Sequence, residues 1–147
     1  MRLSSILSTL VFIVFQVNAS GGTQNTTARS FTENDIIQTL NAHITSKTNA
    51  TGLVTLNLLH DSKTEKFSLI YEKVHLPATQ VSESAYFACT NLRDANKTDT
   101  TYDVDFWFVN KNGKLVVEPK KSEIHKVNGA KLFDYNPDGT KTAVPVS

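Results

Sequence analysis

Residues Phe31 to Leu58 read FTENDIIQTLNAHITSKTNATGLVTLNL, and the change of period inside this stretch decides the fold. Ile36, Ile37, Leu40 and Ile44 fall on one stripe at helical spacing. Thr32 is a good N-cap, Asp35 lies three residues on near the positive helix end, and Phe31 is placed to staple onto Ile36. The pattern stops near Lys47, ahead of Asn49-Ala50-Thr51-Gly52. Beyond Gly52 the period becomes two: Val54, Leu56 and Leu58 alternate with Thr55 and Asn57. One amphipathic helix therefore leads into strands.

Toward the C-terminus the strand period persists. Asp61-Ser62-Lys63 supplies a turn, and Phe67, Leu69 and Tyr71 alternate up to the break at His75-Leu76-Pro77. A third strand is predicted from Val81 to Leu92 and a fourth from Tyr102 to Val109. Asn112-Gly113 marks a tight hairpin into Lys114–Glu118, and Pro119 ends that strand. Ser122–Val127, a second tight turn at Asn128-Gly129 and Lys131–Tyr135 complete the pattern. The fold class is α+β: one N-terminal amphipathic helix packed on a curled antiparallel meander sheet of six to seven strands. The ordered domain is expected over residues 31–136, with a loose tail over 137–147. This element order resembles the cystatin-type and nuclear-transport-factor-type layouts, in which a coiled sheet wraps a helix. No Gln-x-Val-x-Gly inhibitor segment follows the helix, so the resemblance covers layout alone.

Toward the N-terminus, Arg2 precedes the apolar run Leu10 to Phe15 and the small-residue exit Val17-Asn18-Ala19. That is the organisation of a secretory signal peptide over residues 1–19, and the run is too short for a transmembrane span. Residues 20–30, with almost nothing apolar to bury, read as a flexible leader. Cleavage removes one cation, Arg2, and brings the formal charge of the 147-residue chain from +1 to zero. A neutral domain offers no electrostatic reason to hold nucleic acid or an anionic membrane. Export is expected to end in a periplasm or outside the cell. Cys89 is the single cysteine, so no disulfide forms within the chain; its apolar neighbours favour burial in a sheet interior over pairing with another chain or a reactive free thiol.

The residues with most chemistry lie on the fourth strand. Tyr102, Val104, Phe106 and Phe108 share one face, while Asp103, Asp105 and Trp107 share the other. Two carboxylates about 7 Å apart beside an indole suit a recognition groove; the plainer interpretation is an exposed face whose Asp residues prevent edge pairing. Tyr86 joins them as a ligand-binding candidate. His125 can pair with Asp103 or Asp105 for acid–base work if its strand neighbours theirs; otherwise it is a solvated histidine between Glu123 and Lys126. His43, His60, His75 and His125 are scattered and Cys89 stands alone, so ligand spacing predicts no metal. No phosphate-cradling or dinucleotide loop appears, and no cofactor is expected. Lys120-Lys121 is interrupted by Glu118 and Glu123 and reads as a solvated face in preference to an anion or lipid-headgroup site. Asn25, Asn49 and Asn96 head glycosylation sequons in loops, relevant in a eukaryotic host.

These residues suggest an exported binding protein that meets a protein or small-molecule ligand through Asp103, Asp105, Trp107 and Tyr86. The rival is a small pocket enzyme, its site between helix and sheet, using Asp103 or Asp105 with His125 or Tyr86. A cystatin-like protease inhibitor is the third reading, and the polar hairpin tips count against it.

Overall fold

Helix α1 (Glu33–Ser46) begins where its capping residues put it. The Thr32 hydroxyl accepts the Asp35 amide at 3.2 Å, and Asp35 Oδ2 accepts the Thr32 amide at 2.8 Å. Ile36, Leu40 and Ile44 are its buried residues, one turn apart. Thr32→Ala removes half of this reciprocal cap, and a loss of about 1 kcal/mol in urea unfolding is the expected result. An unchanged midpoint would mean that solvent serves the first turn equally well.

The computed structural model describes residues 30–137 and 140–145. The signal peptide over 1–19, Asn25 and all of the leader except Ser30 lie outside the described residues. After α1 come β1 (Val54–His60), β2 (Lys63–Val74), β3 (Thr79–Gln80), β4 (Ala85–Asp94), β5 (Thr101–Lys111) and β6 (Lys114–Val117). A short 3-10 turn over Pro119–Lys121 leads to β7 (Glu123–Val127), β8 (Ala130–Lys131), β9 (Phe133–Tyr135) and β10 (Lys141–Ala143). Asn112-Gly113 and Asn128-Gly129 make their turns with φ of +54°, +78°, +50° and +80°, as tight hairpins with two left-handed residues require.

The fold is α+β, with a single helix and a mostly antiparallel sheet among the described residues. The sheet closes. β1 pairs with β2, β2 with β4, β4 with β5 and β5 with β7, all antiparallel. β7 then returns to β1 in parallel, with Leu59 opposite Glu123 and the Leu59 amide donating to the Ser122 carbonyl at 2.9 Å. The expected meander sheet thus becomes a barrel, because β7 lies between β5 and β1 and leaves neither as a free edge. Val54, Leu56, Leu58, Leu69, Tyr86, Ala88, Leu92, Val104, Phe106, Phe108 and Ile124 form one core with the helix stripe. No helix among the described residues is long and apolar enough to cross a membrane.

The loose tail expected over residues 137–147 is corrected in part. Lys141–Ala143 form β10, paired antiparallel with β9, and the Val144 amide donates to the Leu132 carbonyl at 2.9 Å. The chain turns back at Asn136, whose amide donates to the Thr140 carbonyl at 2.8 Å, and lays β9 and β10 over the outer face of β5 and β7.

Candidate functional site

Alternation along β5 sends Asp103, Asp105 and Trp107 to the outer face of the barrel, as the sequence pattern requires. Their cross-strand partners on β4 are Asn91, Cys89 and Phe87. The expectation that these carboxylates face solvent at an edge is corrected: β5 is flanked by β4 and β7, Asp105 is 0% exposed and Asp103 8%. Tyr135 of the C-terminal segment reaches Asp105 and Lys126 of β7 pairs with Asp103, so neither carboxylate stands open at an edge.

The β5–β7 register shifts between Asp103 and Val104, so that Asp103 faces Lys126 while Asp105 faces Glu123. One extra residue on β7, His125, is accommodated there as a bulge. The bulge re-aims the imidazole. His125 Nδ1 lies 3.4 Å from Asp105 Oδ2, and Nε2 lies 3.1 Å from the Phe133 carbonyl oxygen. Asp105 raises the pKa of His125, first through its hydrogen bond, against the opposing effect of burial. The Lys126 ammonium sits 2.9 Å from Asp103 Oδ2.

Tyr135 reaches in from β9, its hydroxyl 2.8 Å from Asp105 Oδ2 and 3.0 Å from Glu123 Oε1. It has one hydrogen to give, so it serves one carboxylate at a time. Lys141 balances the charge of Glu123, and His125, when protonated, balances that of Asp105. Burial, then the two carboxylates, push the phenol far above its ordinary pKa, and Tyr135 acts here as a donor only. Burial and the facing Asp105 likewise push the Cys89 thiol far up.

Beside this polar knot a cleft of about 420 Å³ opens, lined by Leu59, Trp107, Lys120, Lys121, Glu123, Tyr135 and Lys141. Its aromatic wall is fixed by edge-to-face contacts: Phe87 to Trp107 at 5.2 Å and Trp107 to Tyr135 at 5.9 Å between ring centres. Glu118 pairs with Lys121 at 3.2 Å and Glu123 with Lys141. Lys120 has no ion pair among the described residues. The lining therefore carries three lysines against one carboxylate. No family model, curated protein or solved structure matches this chain. Function must be argued from these side chains.

Of the residues singled out in the sequence, Asp105 and His125 do come together, with Asp103 beside them on β5. They do not line the cleft of about 400 Å³ beside α1, where Phe31, Asp35, Gln38, Thr39 and the Gly113–Leu115 hairpin meet. The helix–sheet placement expected for an enzyme site is corrected accordingly, because Asp103 and Asp105 lie on the opposite face of β5 and His125 reaches Asp105 there from β7. Tyr86 is corrected too. It is 0% exposed in the core, its ring 5.5 Å from Phe31 and its hydroxyl accepting the Phe31 amide at 3.3 Å. Asn49 and Asn96 stand in exposed turns. Tyr135, Glu123 and Lys141 are not among the residues the sequence singles out as a site, although Glu123 carries a signal because it shares a strand face with His125. Lys120-Lys121 stands out in sequence as a basic pair, read there as a solvated face.

Proposed function

We propose that this chain is an exported, non-enzymatic binding protein whose recognition site is the cleft at Trp107, and that it takes an anion bearing an aromatic or other flat apolar part. One observation carries the reading: the single tryptophan of the chain is half-buried in a cleft wall with Tyr135, and Lys120, Lys121 and Lys141 line the same cleft. An indole offers flat apolar area at low entropic cost, and ammonium groups at the rim select for negative charge. The binding reading is favoured over acid–base chemistry because both nitrogens of His125 already face acceptors, Asp105 and Phe133. A base needs a free lone pair aimed at substrate. Export rests on the signal-peptide pattern of residues 1–19, and the anion preference replaces direct contact through Asp103 and Asp105.

Titration with small aromatic sulfonates and carboxylates, beside their uncharged counterparts, tests this. The charged members are expected to change Trp107 fluorescence saturably while the neutral ones do not. By calorimetry, Lys120→Ala should weaken binding about tenfold, the worth of one charge-assisted hydrogen bond. Trp107→Ala should weaken it about 30-fold with the circular dichroism intact. Equal binding of charged and neutral members, or no saturable change at all, would overturn the assignment.

A further inference from the structure

The patch of β4 and β5 next to this knot holds donors that the binding cleft does not use. His75 follows β2 directly, and its amide donates to the Cys89 carbonyl at 2.8 Å, which ties it to β4. One ligand atom each from His75, Cys89 and Asp103 lie within 4.8 Å of one another. These residues stand far apart in the chain, and only the β2–β4–β5 pairing unites them.

A second observation marks the same patch. Among the buried polar side-chain atoms described, Asn91 Oδ1 and Asp105 Oδ1 have no hydrogen-bond partner. Asn91 is directly opposite Asp103, and Asp105 directly opposite Cys89. Buried oxygens left without a donor cost about 1–3 kcal/mol each, more when charged, and native structures seldom carry them without a reason such as an ion or a water. Two of them therefore border the three donors. The imidazole of His75 also has no side-chain partner among the described residues.

We propose that His75, Cys89 and Asp103 form a binding site for one divalent transition-metal ion of the zinc class. The donor set is one sulfur, one imidazole nitrogen and one carboxylate oxygen. This suits a borderline cation and disfavours calcium or magnesium, which want oxygen throughout. Tetrahedral coordination at about 2.0–2.3 Å sets ligand atoms about 3.5 Å apart, so the side chains close in by no more than about 1 Å on loading. Binding displaces the thiol proton of Cys89 to solvent and forms a sulfur–metal bond, with no change of oxidation state. A three-residue set leaves a fourth position for water, whose hydrogens would meet the orphaned oxygens of Asn91 and Asp105. Lys126 also pairs with Asp103, and its partly exposed side chain would turn toward solvent as the metal takes that carboxylate.

Cobalt(II) titrated into the full chain provides the test. Thiolate coordination gives a near-ultraviolet charge-transfer band, expected to saturate at one ion per chain and to be displaced by zinc. Cys89→Ser should abolish the band. Asp103→Asn and His75→Ala should weaken binding by about 100-fold or more, since even outer-sphere partners of a metal site are worth 10–100-fold. His75 lies just outside β2 and is half-exposed, so His75→Ala decides the matter should Cys89→Ser fail to fold. His43→Ala, away from the patch, should leave affinity unchanged. Absence of the band, an unchanged cobalt affinity in His75→Ala, or loss of the band in His43→Ala would each overturn the proposal.

Discussion

Tyr135→Phe is expected to lower the folding free energy by about 3 kcal/mol, although it deletes a single oxygen. The ring stays, with its contacts to Phe87, Trp107, His125 and Phe133, so no cavity arises. The hydrogen shared between Asp105 and Glu123 goes. These carboxylates sit directly opposite each other on β5 and β7, 0% and 4% exposed, and Asp105 Oδ1 already lacks a partner. Removing one member of a buried charged network strands the others, and that desolvation cost exceeds the worth of an ordinary hydrogen bond. Urea unfolding should show a lower midpoint with an unchanged slope. A loss below about 0.5 kcal/mol would show that the two carboxylates do not depend on this hydroxyl, since surface-like substitutions fall in that range. The same variant should speed amide exchange in β9 and β10, because Tyr135 is one of the few side chains fastening that pair to the barrel.

Signals contained in a few consecutive residues were legible. Thr32 with Asp35 starts the helix, Ile36, Leu40 and Ile44 mark its buried stripe, and Asn112-Gly113 and Asn128-Gly129 form their tight turns. The outer-face grouping of Asp103, Asp105 and Trp107 also follows from alternation alone. Features set by distant pairing were not legible. Alternation on β7 is broken at His125, and a bulge leaves no mark in composition. The insertion of β7 between β5 and β1 turns a free edge into a wall and buries the two aspartates, which no local pattern records. β10 offers only exposed residues, Lys141-Thr142-Ala143, so it lacks the apolar alternation that announces a strand. Its Lys141 is held by an ion pair to Glu123, a partner 18 residues away. His75 looked isolated because its proposed co-ligands arrive from β4 and β5.

The second large effect is a pH dependence carried by His125. In the folded protein its pKa is raised, chiefly by the Asp105 hydrogen bond, above the ordinary value of about 6.5. The folded state then binds more protons than the unfolded chain, so this stabilisation is complete below about pH 6.5 and fades as pH rises through the folded pKa. The reason is in the geometry. Imidazolium can donate to Asp105 and to the Phe133 carbonyl together, whereas neutral imidazole can satisfy only one of them. Lys126 and burial act against the charged form, Asp105 and Phe133 support it, and support prevails. His125→Gln should therefore cost about 2 kcal/mol at mildly acid pH, the worth of a charge-assisted hydrogen bond, and about 1 kcal/mol well above neutrality. His43 works in the opposite sense. Burial, with Lys47 one turn on, lowers its pKa, so it withdraws stability as pH falls below about 6.5. The two histidines partly cancel in the wild-type profile, and the single variants separate them. His43→Gln should flatten the loss on acidification, while His125→Gln should steepen it. Urea midpoints measured across the range read both effects. A His125→Gln deficit that stays constant with pH would mean that folding leaves the proton affinity of the imidazole unchanged, so that the Asp105 contact favours neither charge state.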